Sequence, residues 1–198
     1  MTRYLRKIHK GQFYHIVNRG VEQRKIFLCK EDYAMFMQLL SKACEKYSVP
    51  IVAYALMPNH FHILIKVVEN SEVSNWGKWF QGVYAQAFNK KYQRVGHLWQ
   101  DRFFAKRVRN GFQLAKTWMY VEQNPVKAGL VDSQENWQWS SAFLRSMGYC
   151  PHFLIEPSWW FTPMKNEWWS EVLLDDDSLM RIRQSLKKHS KDSEEDLF

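Results

Sequence analysis

Two periods of hydrophobic and polar residues alternate along the first 150 positions. Residues 12–18, QFYHIVN, are β-branched and aromatic and end on Arg19-Gly20, which predicts a strand closed by a turn. Residues 31–47 change to a helical stripe through Phe36, Leu39, Leu40 and Ala43. Residues 50–56 and 60–68 return to strand character on either side of Met57-Pro58-Asn59, and Pro and Asn favour a tight turn, so a hairpin is expected. Residues 73–92 carry Trp76, Trp79, Phe80, Val83, Tyr84, Ala87 and Phe88 on one helical face. A loop from 97 is expected to lead into a strand at 103–108. A third helix is expected over 112–124, stopped by Pro125, whose ring and missing N–H oppose continuation. A short helix fits 137–147. An antiparallel sheet with helices packed on it, a two-layer α+β domain, is the natural outcome of this order.

Beyond Cys150 the character changes. The stretch from Pro151 to Glu171 holds three of the six prolines and two Trp pairs, Trp159-Trp160 and Trp168-Trp169. Residues 178–189 could form a helix, and the terminal KDSEEDLF reads as frayed. The expected division is a domain at 1–149 and an acidic extension at 150–198.

Charge sharpens that division. Residues 1–149 carry 22 Lys+Arg against 10 Asp+Glu, whereas residues 150–198 carry 6 against 10. A basic globular body suits a polyanionic partner, because cations that meet phosphates release condensed counterions. A solvated basic surface would look the same. No apolar run approaches the roughly 20 residues needed to cross a bilayer, so no membrane association is expected. The basic start, Met1–Lys10, lacks the apolar stretch of a secretory leader. Three widely spaced cysteines, Cys29, Cys44 and Cys150, form no C-x-x-C pair and read as free thiols in a reducing cytoplasm.

Four segments could carry chemistry. In MPNHFHILIK at 57–66, strand alternation projects His60 and His62 to one face and Phe61 and Ile63 to the other. Two imidazoles on one rigid edge make a pair of metal ligands, though surface histidines can alternate by chance. In WMYVEQNPVKAGLV at 118–131, Tyr120 and Asn124 lie one helical turn apart. The phenol could attack a phosphate and the amide oxygen could meet a hard cation; equally, the ring could pack in a core and the amide cap a helix. In GHLWQDRF at 96–103 and the cations after it, Trp99 and Phe103 could stack bases while Arg102, Lys106, Arg107 and Arg109 grip phosphates. NRGVEQRK at 18–25 adds Arg19, Arg24 and Lys25 at a strand end.

Taken in order, YHIVNRG, MPNHFHILIK, GHLWQDRF and YVEQNPVKAGLV resemble the single-tyrosine HUH transposases, and most closely the REP-associated tyrosine transposases. The resemblance covers roughly residues 8–147, and the second and fourth segments lie about 60 residues apart. It implies a ferredoxin-like α+β fold with a central antiparallel sheet, His60 and His62 as metal ligands, and Tyr120 as nucleophile. Asn124 falls where insertion-sequence relatives carry a glutamine. Asn is one methylene shorter, so a bridging water could replace direct coordination. The resemblance further implies Mg²⁺ or Mn²⁺, a single-stranded DNA substrate beside a hairpin, a 5′-phosphotyrosine intermediate, and either a monomer or a homodimer. Two rival readings remain at this level: a non-catalytic hairpin DNA or RNA binder derived from a transposase, and a metal-dependent hydrolase that uses water.

Overall fold

The computed structural model describes residues 8–155. The expected helix at 178–189 and the frayed end lie outside the described residues. Four strands, β1 (Phe13–Arg19), β2 (Ile51–Met57), β3 (His60–Lys66) and β4 (Phe104–Val108), form one antiparallel sheet in the order β2-β3-β1-β4. Four α-helices accompany it: α1 (Lys30–Lys46), α2 (Val73–Lys91), α3 (Gly111–Lys127) and α4 (Ser141–Ser146). The expected α+β architecture is therefore present.

The two faces of the sheet are built differently. Tyr14, Ile16, Tyr54, Leu56, Phe61, Ile63 and Ile65 alternate onto one face and meet α1 and α2 through Phe36, Leu40, Trp76, Phe80 and Tyr84. Phe36 is central to this aromatic core, with ring centroids 5.1–5.4 Å from Phe61, Phe80 and Tyr84. Gly77 lets Phe103 into that core, since a Cβ there would fall 2.2 Å from the Phe103 ring. The opposite face receives α3, which packs on β2, β3 and the rim of β4.

The β2–β3 hairpin needs only Pro58 and Asn59 as its loop, because Met57 already pairs with His60. Its tip is sewn to the chain after β1: the N–H groups of Ile26 and Phe27 donate to the Pro58 carbonyl, and Gly20 N–H donates to that of Asn59 at 2.8 Å. The free edge of β2 would be a pairing hazard. It is covered instead by residues 137–155. Trp139 accepts from Leu56 N–H, Trp137 Nε1 donates to the Leu56 carbonyl at 2.9 Å, and Ile51 exchanges backbone bonds with Phe153 and Ile155. Phe153 and Leu154 join the core, so the body runs past the boundary expected at residue 149.

Two expectations need correction. Only Ser141–Ser146 of the expected 137–147 helix is helical, because Trp137 and Trp139 are engaged along β2. Pro125 does not stop α3. The helix runs on to Lys127 and ends at Gly129, whose φ of +66° suits a residue without Cβ. There the Leu130 N–H reaches the Pro125 carbonyl at 3.0 Å and the Gly129 N–H reaches that of Val126 at 2.9 Å, a closing pattern that a proline can join because it supplies only its carbonyl.

The pose of α3 is fixed by a buried ion pair. Glu122 faces Arg145 of α4 and accepts from Ser141 Oγ at 2.6 Å, while Ser141 Oγ also accepts from Tyr54 N–H at 2.9 Å. Burial pushes the Glu122 carboxyl above its ordinary value, against the pull of Arg145 and Ser141. The Arg145 guanidinium lies over the Trp118 ring at 4.4 Å. Glu122→Ala strands the guanidinium in a dry setting, so urea denaturation should register a loss of about 3 kcal/mol.

Candidate active site

The strand register decides which polar side chains meet. His60 sits opposite Arg19 and Met57, His62 opposite Val17 and Ala55, and Leu64 opposite His15 and Ala53. On the other side of β1, His15 also faces Lys106 and Val17 faces Phe104. Directly opposed residues share a face, so His60, His62, His15, Arg19 and Lys106 all project toward α3. The apolar residues between them turn to the opposite core.

Tyr120 comes down onto this cluster from α3. Its ring centroid lies 5.5 Å from that of His62 and 5.9 Å from that of His15, edge-on to both. The His60 and His62 rings are 4.9 Å apart and nearly perpendicular. Tyr120 is 4% exposed, and two of the rings against it are the imidazoles of His15 and His62. The two segments that sequence spacing singled out separately thus converge. Asn124 lies one turn further along α3, buried, with Nδ2 donating to the Tyr120 carbonyl at 2.6 Å. That bond aims the amide nitrogen at the helix and leaves Oδ1 as the atom able to meet a cation.

Both candidate ligands are engaged through Nδ1. His60 Nδ1 is 2.7 Å from Asn59 Oδ1, and His62 Nδ1 is 3.0 Å from His15 Nε2. Burial, reinforced by the charge of Arg19, lowers the His60 pKa to about 4. Burial and Lys106 lower that of His15 to about 3. Neutral imidazole is the form that binds metal. The two imidazoles, with the Asn124 amide oxygen on the turn of α3 after Tyr120, would suit a divalent cation of the Mg²⁺ or Mn²⁺ kind. Among the described residues no group of three or more His, Cys, Asp or Glu could hold a metal ion. The remaining coordination would fall to water and substrate oxygens.

The basic residues expected to grip nucleic acid separate into distinct positions. Arg19 lies on the site face and bonds Gln100, and Lys106 lies there beside His15. Arg109 sits at the β4–α3 junction, close enough to Lys106 for the two charges to interact. Burial, with this neighbouring charge, holds the Lys106 pKa below the ordinary lysine value. Arg24 pairs with Glu22 on the exposed turn after β1, where Lys25 is also exposed. Arg102 is exposed in the loop before β4.

Three expectations do not fit this placement. Arg107 is opposite Tyr14, so it belongs to the face away from the histidines, where it donates to Gln12 Oε1 at 3.1 and 3.2 Å. Phe103 is 4% exposed and packs against Trp76, so its ring belongs to the core rather than to a stacking platform. Trp99 is half-buried, its Nε1 donating to the Gln81 carbonyl at 2.9 Å and its ring 5.7 Å from Phe61. A loop gives no periodicity from which to read such directions. The residue that sequence reading missed is His15. The alternation in Tyr14-His15-Ile16-Val17 carried the signal, since Ile16 in the core requires His15 on the other face.

A sequence model of the family described as "Transposase IS200 like" matches residues 9–124. The chain belongs to this family of transposases. Within it, the chain is 30% identical over 155 residues to a putative REP-associated tyrosine transposase of Haemophilus influenzae, covering 71% of this chain and 85% of that one. It is 26% identical over 144 residues to the REP-associated tyrosine transposase of Escherichia coli K12, covering 71% and 82%. The fold matches the solved structure of a REP-associated tyrosine transposase bound to a REP hairpin, with a TM-score of 0.60 at 21% identity over 79% of this chain and 93% of that one. The ferredoxin-like expectation of a central antiparallel sheet with helices on it accords with that likeness. Among the described residues no helix is long and apolar enough to cross a membrane.

The lowered histidine pKa values set a pH dependence. An unfolded chain takes up protons on His15 and His60 near the ordinary value of about 6.5, whereas the folded protein does so only near 3 and 4. Their neutral burial therefore leaves stability intact above about pH 6.5 and erodes it as pH falls toward 4. The slope should approach about 1.4 kcal/mol per pH unit for each histidine. Urea midpoints at pH 7 and pH 5 measure it, and His15→Gln should make the dependence shallower.

Proposed function

We propose that this transposase nicks and rejoins single-stranded DNA beside a hairpin, with Tyr120 as nucleophile. The observation that carries this reading is the placement of the Tyr120 ring 5.5 Å from His62, on the sheet face that also bears His60, Arg19 and Lys106. The hairpin partner is taken from the relative solved with a REP hairpin and from the excess of basic residues in the body.

The phenolic oxygen of Tyr120 attacks the scissile phosphorus in line. The new bond is Tyr120 Oη–P, the bond broken is P–O3′, and the departing 3′ oxygen takes up a proton. The products are a 5′-phosphotyrosine and a free 3′-OH. A second 3′-OH attacking the same phosphorus reverses the exchange, restores the tyrosine, and joins strands without an outside energy source. Arg19 and Lys106 offset the charge that builds on the phosphate oxygens. Their attachment to a rigid sheet holds them in place before substrate arrives. His60, His62 and Asn124 would hold Mg²⁺ or Mn²⁺, which when bound supplies Lewis-acid polarisation of a nonbridging phosphate oxygen.

Tyr120→Phe should abolish the covalent protein–DNA adduct on a denaturing gel while leaving hairpin binding in place. A persistent adduct in that variant contradicts the assignment of Tyr120, and release of a 5′-phosphate without any adduct points to hydrolysis by water. Replacing His60 and His62 together with alanine should remove cleavage, and so should a chelator. The split between β4 side chains gives a separate check. Lys106→Ala should weaken DNA binding and lower the slope of log K against log salt by about 1, as loss of a phosphate contact does. Arg107→Ala, on the far face, should change neither beyond scatter.

A further inference from the structure

We infer that His15 is a positioning residue that fixes His62 in the tautomer able to ligate a metal through Nε2. The inference rests on the metal-dependent reading above, but its geometric basis is separate. The two imidazoles stack with centroids 5.1 Å apart and planes 24° from parallel, and His62 Nδ1 lies 3.0 Å from His15 Nε2. Both rings are buried. A neutral imidazole carries one N–H, so one ring must donate and the other accept. If His62 donates from Nδ1, its Nε2 holds a lone pair for a metal. If His15 donates instead, His62 Nε2 carries the proton and cannot ligate.

The neighbouring ligand indicates which direction the site uses. His60 Nδ1 faces Asn59 Oδ1 at 2.7 Å, and an amide oxygen only accepts, so His60 donates there and its ligating atom is Nε2. Metal-binding histidines commonly donate their second ring N–H to an acceptor, which sets the tautomer and the ring angle. His15 then plays for His62 the part that Asn59 plays for His60. The strand pairing brings the two rings within reach, because His15 and His62 occupy diagonal positions on adjacent strands with Leu64 and Val17 as their respective direct partners. His15 does not complete a metal-holding cluster of its own. Its ring is turned to His62, and the acceptor it offers is neutral where a carboxylate would add charge.

The test uses the full chain labelled with ¹⁵N-histidine, free of metal, at pH 7.5. Long-range ¹H–¹⁵N spectra should place the His62 proton on Nδ1 in the unaltered protein and in His15→Gln, whose amide oxygen can also accept. In His15→Leu the proton should move largely to Nε2. Titration with Mn²⁺ alone, followed by the electron paramagnetic resonance of the free ion, should show binding about 10–100-fold weaker in His15→Leu. It should be near that of the unaltered protein in His15→Gln. Circular dichroism confirms that each variant is folded. A His62 proton on Nε2 in the unaltered protein, or a tautomer indifferent to His15→Leu, overturns the positioning role even if Mn²⁺ binds. If the tautomer follows His15 as expected and no Mn²⁺ binds, the positioning of His62 stands and the metal-dependent reading falls.

Discussion

The antiparallel pairing of β1 with β3 is the constraint on which the rest depends. With Val17 opposite His62 and Arg19 opposite His60, every second residue of both strands faces α3. A slip of one residue on β3 would send Phe61 and Ile63 to that face and bury the imidazoles among Phe36, Phe80 and Tyr84. The penalty would be threefold: lost apolar burial, stranded polar rings and a vacated core. The hydrophobic side of the sheet thus fixes the register of the polar side. The site needs no interaction of its own to hold that register.

The same constraint explains why α3 can bring a tyrosine to buried histidines. The helix lies on the small residues Ala53 and Ala55 of β2 and is held at its far side by Glu122, Arg145 and Ser141. Glu122 and Tyr120 are two residues apart and so lie on different sides of the helix. One side carries the anchor and the other carries the phenol. Covering the β2 edge with residues 137–155 keeps this anchor rigid, since Ser141 is bonded both to the edge backbone and to Glu122.

What was legible in the sequence follows the same division. Elements with a clear period were read nearly to their ends: the strand at 12–18 became Phe13–Arg19, and the helix at 73–92 became Val73–Lys91. Within MPNHFHILIK the alternation placed His60 and His62 together, as the structure does. His15 is legible by the same rule, since it alternates with Tyr14 and Ile16 of the core, but a lone histidine within YHIVNRG has no second chemical group beside it in the chain to mark it. The convergence of β3 with α3 could not come from period alone, since it depends on pairing between segments about 60 residues apart in the chain. Loops defeated the reading altogether. Trp99 and Phe103 looked like stacking aromatics among cations, yet Gly77 opens a slot for Phe103 and the Gln81 carbonyl takes the Trp99 N–H. Pro125 was read as a stop because a proline breaks the bond behind it. It leaves the bonds ahead intact, and Gly129 ends the helix.

The charge composition of the site face carries one further consequence for the proposed chemistry. None of the β1, β3 and β4 residues that alternate onto it is acidic; the polar ones are His15, Arg19, His60, His62, Lys66 and Lys106, with apolar neighbours. The His15 and His60 imidazoles there are held neutral by burial and by adjacent cations. A divalent cation on such a face meets no opposing carboxylate from these strands, and Arg19 and Lys106 repel it. The phosphate that the cations attract is also the anion that the metal lacks. On the proposed reading, DNA and metal would therefore assist each other's binding, a coupling that must be reciprocal between the two. Such a face would bind a metal alone measurably, but less tightly than with substrate present. It is suited to assembling one around a backbone phosphate, which is where a phenol one helix away has something to attack.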